Sequence, residues 1–320
     1  MRKLLICLIV AASVVSCGDN LAERKKIERL DIAMSLYADM SRNERDSLVN
    51  VCGDAIDAWF AIMGRSDVND SVLDAYSDSR VVTLFTFDVN ARFLAMDSVE
   101  CVLALLEKSI RDRLEDKQLG RLFSVVSPYN QSIFTIDSIM FIGLNHYLGS
   151  DYAGYDYFET YQRATKTAKH LPYDVAEAFL AQNYPYKPDD DATVLTEMLY
   201  HGAVLYAVMN LVPDADLQEA LGYDTYQMEW VEENESEMWN ALISRGLLYS
   251  TSQADADRLM RLSPATTILH QDCPGRAGRY IGYRIVCSYM SNFERASLDE
   301  LLKPSFYSSP QSLVDAKYGF

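Results

Sequence analysis

The spacing of apolar residues along the chain predicts a mostly helical protein. Between Asp46 and Met63 apolar residues recur every three or four positions, which is the pattern of an amphipathic helix. The same reasoning predicts further helices over residues 98–114, 173–183, 190–211, 225–244 and 276–292. A strand or a helix start is predicted from Ile27. Helices therefore dominate the predicted fold.

One region in the middle of the chain has the pattern of strands. Residues 123–127, 132–136 and 139–144 are short runs rich in β-branched and aromatic residues. The turn residues Pro128-Tyr129-Asn130 separate the first two runs, and Asp137-Ser138 separates the last two. This arrangement predicts a meander of hairpins. The expected fold class is α+β, a predominantly helical domain with one small sheet.

The N-terminus has the pattern of a lipoprotein signal peptide. Arg2 and Lys3 precede a short apolar run that ends at Ser16-Cys17-Gly18. That run is shorter than the ~20 apolar residues that a membrane span needs. The four residues up to Cys17 read VVSC, the form of a lipobox, whereas the alternative is an ordinary secretory signal. We predict a signal peptide over 1–16, a lipidated tether over 17–26 and one globular domain over 27–320.

Charge and cysteine usage narrow the function classes. The formal net charge of -17 becomes -19 when Arg2 and Lys3 leave with the signal peptide. Phosphate backbones repel such a chain, so nucleic acid is not expected as a partner. Four cysteines remain beyond Cys17, and none of them forms a CxxC pair. We expect mostly free, buried thiols.

The strongest candidate for chemistry lies in the helix predicted over 190–211. A zinc protease helix reads His-Glu-x-x-His, with two imidazoles on one face and the Glu as base. The closest segment here is Thr196-Glu197-Met198-Leu199-Tyr200, which keeps the Glu but lacks both histidines. Because His201 follows Glu197 by four residues, the two share a helix face and could pair. No metal ligand and no cofactor is assigned.

Two other segments suggest binding. The segment from Pro274 to Val286 places Arg276 and Arg279 at a predicted helix start, next to Gly275 and Gly278. Helix packing with arginine–carboxylate pairing is the favoured interpretation, and an anion-binding turn is the alternative. Five tyrosines lie between residues 147 and 161. They could stack on carbohydrate or peptide, or cover an edge of the core.

Several blocks of sequence resemble, in order, the gliding-motility lipoproteins of the GldB type from Bacteroidota. The blocks besides the lipobox are IERLD at 27–31, IGLNHYLG at 142–149, EMLYHGAVLY at 197–206, EWVEENE at 229–235, LLYST at 247–251, Ser263-Pro264 and residues 274–290. The resemblance implies a lipoprotein of the gliding machinery or the linked type IX secretion system. It also implies a distant similarity to predicted zinc-dependent proteases, and hence a degenerate zincin-like fold.

These observations lead to a main hypothesis and two alternatives. The main one is a non-catalytic protein of the cell envelope, anchored to the outer membrane by palmitate-bearing lipid on Cys17, which binds envelope or secretion-system proteins. The loop over residues 147–161, which we call the tyrosine loop, is predicted to cover the candidate binding cleft. That cleft comprises His146, Tyr147, Glu197, His201, Arg276 and Arg279. One alternative is a metal-dependent peptidase with Glu197 as base and His201 in an altered site. The other is a carbohydrate- or peptide-binding lipoprotein that uses the tyrosine loop.

Overall fold

A computed structural model describes residues 24–319 of the chain. The described chain forms two compact units: residues 24–104 together with Gly120–Asn145, and Leu105–Leu119 together with residues 146–319. The predicted signal peptide and the predicted lipidation site Cys17 lie outside the described residues. The single globular domain over 27–320 stays a prediction.

The first unit combines a small sheet with helices. Its elements are β1 (Ile27–Glu28), α1 (Leu30–Ser35), α2 (Arg42–Ile62), α3 (Asp70–Ser77), α4 (Arg80–Arg92), the start of α5 (Asp97–Arg113), β2 (Arg121–Val125), β3 (Ile133–Ile136) and β4 (Ile139–Gly143). Apolar spacing placed α2 and α5 to within four residues at each end. Helix α1 lies where a strand or a helix start was predicted from Ile27. Helices α3 and α4 were missed: α3 is short, and α4 carries apolar residues on its exposed face as well, which hides the period.

The sheet corrects the predicted meander. Its strand order is β1-β2-β4-β3, with β1 and β4 both parallel to β2 and only β3 antiparallel to β4. The β3–β4 hairpin turns at Asp137, which adopts φ 49°. The β2–β3 hairpin was wrong, since β4 lies between those two strands. Strands β2 and β4 are buried along nearly their whole length, which is typical of parallel pairing.

Aromatic rings pack in the core of this unit, and a buried ion pair follows its first strand. Trp59 of α2 contacts Phe141 of β4 at 5.3 Å between ring centroids. Just after β1, Arg29 pairs with the buried Asp31 at 2.8 Å. Asp31 also accepts a hydrogen bond from Ser124 of β2. The IERLD block, residues 27–31, therefore connects the beginning of the described chain to the sheet.

The second unit is almost entirely helical. Its elements after α5 are α6 (Thr160–Arg163), α7 (Leu171–Asn183), α8 (Val194–Leu211), α9 (Leu217–Leu221), α10 (Thr225–Glu233), α11 (Glu235–Ser244), α12 (Gln253–Met260), α13 (Ala277–Asn292), α14 (Leu298–Leu301), α15 (Pro304–Tyr307) and α16 (Pro310–Ala316). The α+β class with helices in the majority is confirmed. No helix in the described part of the chain is long and apolar enough to cross a membrane.

Two of the predicted helices begin or end elsewhere. The helix predicted over 225–244 is two helices, because Asn234 leaves helical geometry at φ -106° and ψ 14°. Its side-chain amide donates to the carbonyl of Trp230 at 2.8 Å, which competes with the backbone ladder. Helix α8 begins at Val194 rather than at residue 190, with Thr193 as its N-cap.

Helices α8 and α13 cross in close contact at two glycines. A methyl group at Gly282 would lie 2.0 Å from the carbonyl oxygen of Met198, and one at Gly202 would lie 2.2 Å from the Gly282 carbonyl carbon. Only hydrogen atoms fit at this crossing. Gly278, one turn before Gly282 on α13, contacts a different helix, because it faces Met260 of α12.

Candidate functional site

A tight turn before α13 positions Arg276 and Arg279 within the second unit. Arg276 caps the helix in the left-handed region at φ 63°, and Arg279 follows within the first turn. A methyl group at Gly275 would lie 1.9 Å from the carbonyl oxygen of Ser263, so the turn needs glycine there. Tyr223 donates a hydrogen bond to the Gly275 carbonyl at 2.6 Å. The turn is therefore held from two sides.

Arg279 forms an ion pair with a carboxylate on α7. Its guanidinium donates to Glu177 at 2.9 Å, and Arg279 is only 4% exposed. The Glu177 side chain is 41% exposed. The Nε atom of Arg279 is buried and has no hydrogen-bond partner among the described residues. We call Glu177, His201, Arg276 and Arg279 the arginine cluster.

The arginines determine the charge of Glu177. Burial by itself raises the pKa of this carboxyl, but Arg279 and Arg276 outweigh it and lower the pKa to about 2. Glu177 is consequently ionised throughout the physiological range.

His201 lies on α8 beside the same charges. Burial and the nearby Arg279 lower the pKa of its imidazole to about 4, and Glu177 opposes this only in part. The imidazole is therefore neutral at pH 7. Within residues 24–319 it has no hydrogen bond, while its ring contacts Tyr200 at 5.2 Å. His201 adds a polar group without charge to the cluster.

Arg276 differs from Arg279 in its partners. It is half-buried, and no described residue forms a hydrogen bond or an ion pair with it. Burial and the neighbouring Arg279 lower the pKa of its guanidinium, whereas Glu177 and Asp174 raise it. The nearest carboxylates are thus engaged elsewhere. A partly buried guanidinium without a counter-ion can accept an anionic group.

The carboxylate of Asp174 belongs to a neighbouring hydrogen-bond network. Asp174 accepts from the Tyr147 hydroxyl at 2.7 Å and lies 3.4 Å from Nε2 of His170. The other ring nitrogen of His170 lies 3.3 Å from Glu219. Burial lowers the pKa of His170, but the two carboxylates outweigh it and raise the pKa to about 9. His170 is therefore protonated at pH 7.

A buried lysine joins His146 to this region. Nζ of Lys166 lies 2.9 Å from Nδ1 of His146, and Lys166 is only 6% exposed. Its ammonium also lies 4.4 Å from the ring centre of Phe158. Burial lowers the pKa of Lys166 to about 8. The amine is still mostly charged at pH 7.

Positive charge exceeds negative charge across these residues. The cations are Lys166, His170, Arg276 and Arg279, and the anions are Asp174, Glu177 and Glu219. Four cations against three anions leave an excess of one, and the exposed Lys169, which pairs with Glu219, adds to it. The excess is local, since the whole chain carries a net charge of -17. Of these four cations, Arg276 is without a hydrogen bond or an ion pair to any described residue.

Glu197 has other partners. Its carboxylate accepts from the amide of Gln253 on α12 at 3.2 Å. Burial raises the pKa of Glu197, and Asp257 adds to the increase. Among the described residues no hydrogen bond joins Glu197 to His201, although both lie on α8. Of the residues predicted for the cleft, His201, Arg276 and Arg279 lie around Glu177. His146 contacts Lys166, and Tyr147 donates a hydrogen bond to Asp174.

The segment around Glu197 does not fit a zinc site. Thr196 takes part in the N-terminal capping of α8 with Thr193. Tyr200 is 5% exposed and donates its hydroxyl hydrogen bond to the Tyr184 carbonyl at 3.0 Å. The two positions that would carry zinc ligands thus serve the helix start and the core. No group of three or more His, Cys, Asp or Glu residues that could hold a metal occurs within residues 24–319.

The tyrosine loop is mostly part of the core. Tyr147 and Tyr155 are fully buried, and Tyr155 accepts a hydrogen bond from the Leu148 backbone at 3.1 Å. Tyr152 meets Tyr155 edge-on, at 75° between the rings. Only Tyr157 among them is more than half exposed, at 61%. These rings cover a core edge and do not form a coplanar stacking platform.

Comparison with known proteins gives the family. The family model of gliding motility protein GldB matches residues 18–319, almost the entire chain. The chain belongs to the gliding motility protein GldB family. The name of the family model marks it as a lipoprotein family, and membership relates this GldB member to gliding motility. No curated protein and no solved structure matches it, and the predicted zincin-like similarity gains no support.

Sequence reasoning missed the carboxylates that organise the site. Asp174 and Glu177 lie three residues apart on α7, a helix that otherwise buries most of its side chains. Two carboxylates one turn apart on a largely apolar helix are a signal for buried ionic pairing. Arg279 lies 102 residues after Glu177, so only the folded structure identifies that pair. His170 precedes Asp174 by four residues, which is the spacing of a local helical pair.

Proposed function

We propose that this GldB family member is a lipid-anchored, non-catalytic protein of the cell envelope that binds a partner through the arginine cluster. The lipid is carried by Cys17, the anchoring membrane is the outer membrane, and the partners are envelope or secretion-system proteins of the gliding machinery. Arg276, a half-buried guanidinium that forms no ion pair within residues 24–319, carries this proposal.

The charge at Arg276 selects the ligand. A guanidinium removed from bulk water is costly to leave unpaired, and a carboxylate or phosphate can satisfy it with two parallel hydrogen bonds. Family membership supports a protein partner, so we favour a carboxylate of a polypeptide. Glu177, which is 41% exposed, can accept a hydrogen bond from an N–H of the same ligand. A carboxylate next to an N–H donor is the chemistry of a peptide C-terminus.

The surrounding groups support binding rather than turnover. The imidazole of His201 has a pKa of about 4 and is a weak base at pH 7. Glu177 has a pKa of about 2, far below the range for proton transfer at neutral pH. The cluster is therefore suited to hold a charged group and unsuited to general acid–base catalysis.

A titration with a minimal probe tests this assignment. The full-length lipidated chain in detergent is titrated with N-acetyl-diglycine, its C-terminal amide and inorganic sulfate, followed by NMR. We expect the free carboxylate to bind and the amide not to bind. Arg276→Gln should weaken binding about 10- to 100-fold, because a hydrogen bond to a charged group contributes about 1.5–3 kcal/mol. The matched control is Arg284→Gln on the same helix, whose guanidinium pairs with Glu235.

Two outcomes would count against the proposal. Equal affinities of Arg276→Gln and Arg284→Gln for the probe would remove Arg276 from the site, and preference for sulfate would indicate a phosphate-like ligand instead. Elemental analysis of the same preparations tests the peptidase alternative. Stoichiometric zinc that is lost in His201→Ala and retained in Glu197→Gln would favour a metal-dependent hydrolase.

A further inference from the structure

The first unit exposes a stripe of apolar side chains on α4. This helix buries Val82, Phe85 and Val89 on its inner face. On the outer face Leu84 is 56% exposed and Phe87 is 79% exposed. These two residues lie three apart and therefore share one face of the helix. The outer face of α4 therefore exposes large apolar side chains to water.

The stripe continues past the end of α4. Ala91 is exposed one turn after Phe87, and Leu94, just beyond the helix, is 87% exposed. Positions 84, 87 and 91 follow the spacing of one helical face, and Leu94 follows two residues after the helix ends. Arg80 and Arg92 are exposed at the two ends of the helix. We call Leu84, Phe87, Ala91 and Leu94 the α4 stripe.

The start of the described chain is fastened beside this stripe. Arg24 pairs with Asp97, and the backbone N–H of Lys25 donates to the carbonyl of Glu100 at 3.0 Å. The Arg29 guanidinium also donates to the Phe93 carbonyl at 2.5 Å. Asp97 follows Leu94 by three residues, so their Cα atoms are at most about 11 Å apart. Arg24 therefore lies at the end of the α4 stripe.

The length of chain before Arg24 limits the distance to the lipid. Seven residue steps separate Cys17 from Arg24, and a fully extended chain of that length spans at most about 25 Å. A diacylglycerol on Cys17 would hold the bilayer surface within that distance of Arg24. This step rests on the lipid anchor of the proposed function. The α4 stripe belongs to the part of the first unit that this tether keeps at the membrane.

We infer that the α4 stripe docks on the lipid bilayer and inserts its apolar side chains into the headgroup region. An apolar face bordered by arginines is typical of helices that lie in the membrane interface. Burying one such side chain contributes about 1.5–3 kcal/mol, so the stripe adds an attachment beside the diacylglycerol. A second copy of the chain is a poorer occupant. The four side chains of the stripe are far fewer than the roughly 20–30 residues, about 800 Å² per partner, that a stable dimer interface contains.

Tryptophan quenching in vesicles tests the docking. The full-length lipidated chain and its Phe87→Trp and Leu94→Trp variants are reconstituted into phosphatidylethanolamine–phosphatidylglycerol vesicles with acyl chains brominated near the headgroup or near the methyl end. The matched control is Val51→Trp on α2, because Val51 is 61% exposed on another helix of the same unit. We expect quenching above the wild-type signal at positions 87 and 94, stronger with the shallow bromines, since interfacial helices lie about 5–10 Å deep.

The outcomes separate this inference from the anchor. Protein that stays with the vesicles while positions 87 and 94 are quenched no more than position 51 would overturn the docking and leave the lipid anchor intact. Protein that washes off the vesicles, with an unmodified Cys17 by mass spectrometry, would overturn the anchor. A shift in the fluorescence emission of the tryptophan at position 87 without bromine quenching, together with dimers in detergent, would assign the stripe to a second copy of the chain instead.

Discussion

The crossing of α8 and α13 allows the sharpest test of how the second unit is held together. In Gly282→Ala the new methyl carbon would lie 2.0 Å from the carbonyl oxygen of Met198, whereas ordinary contact begins at 3.4 Å. The deficit is 3.4 minus 2.0, or 1.4 Å. The obstacle is helix backbone, which cannot rotate aside as a side chain can. The two helices must therefore separate.

The separation determines the size of the effect. Gaps of about 0.5–1 Å already forfeit a quarter to a half of the dispersion energy between facing atoms, and overpacking a core costs about 1–3 kcal/mol. A deficit of 1.4 Å at backbone places Gly282→Ala at or above the upper end of that range. Alanine regains about 1 kcal/mol through its higher helix propensity. We expect the free energy of unfolding to fall by about 2–3 kcal/mol.

Two other glycine substitutions make the prediction specific. At Gly278 the nearest atom is the flexible Met260 methyl group at 2.6 Å, followed by Leu259 atoms at 3.0 Å, so Gly278→Ala should cost less. At Gly53 in α2 a methyl group meets only a Val49 side-chain atom at 3.6 Å. Gly53→Ala should therefore stabilise the protein, by up to about 1 kcal/mol.

Urea unfolding followed by circular dichroism measures all three variants. The expected order of midpoints is Gly53→Ala above wild type, then Gly278→Ala, then Gly282→Ala. If Gly282→Ala were as stable as wild type, or gained stability as Gly53→Ala does, the close crossing of α8 and α13 would be refuted.

Four further predictions follow from the polar groups of the second unit. His170, whose pKa is raised to about 9, stabilises the fold below its unfolded pKa of about 6.5 and loses that contribution as pH rises to 9. His170→Gln should remove this loss, which is at most about 1.4 kcal/mol per pH unit, in urea titrations at pH 6 and pH 9. His201, whose pKa is lowered to about 4, has the opposite sign: its contribution is present above about 6.5 and is lost as pH falls to 4. His201→Gln should flatten the acid side of the same profile. Tyr147→Phe should lower the free energy of unfolding by about 1.5–3 kcal/mol, because Asp174 loses a hydrogen bond to a charged group. The buried Cys273 thiol, whose pKa burial raises to about 12, should react with a thiol reagent at pH 8 only after unfolding.

Each of these has a result that would contradict it. Unchanged pH profiles in the two histidine variants would mean that the folded and unfolded pKa values agree. A Tyr147→Phe variant as stable as wild type would show that His170 alone satisfies Asp174. Rapid labelling of Cys273 in the native protein, mapped by mass spectrometry, would show that the thiol is accessible.

Local pattern was sufficient for features that depend on neighbouring residues. The period of apolar residues predicted α7 to within two residues of Leu171–Asn183, because a helix buries one face whatever packs against it. The asparagine break between α10 and α11 escaped this reasoning, since Asn234 fits the period but withdraws its amide to a backbone carbonyl. The ordered blocks were specific enough to indicate the GldB family, which the family model confirms.

By itself, the sequence determined the α+β class, the family and the placement of Arg276 and Arg279 at the start of a helix. Tertiary structure alone decided what those arginines meet: Glu177 lies 102 residues before Arg279. It also placed β4 between β2 and β3, although β3 precedes β4 in the chain. The physical reason is the same in both cases. Helix periods and turn signals report on a few consecutive residues, whereas ion pairs and strand order are fixed by which distant surfaces bury each other.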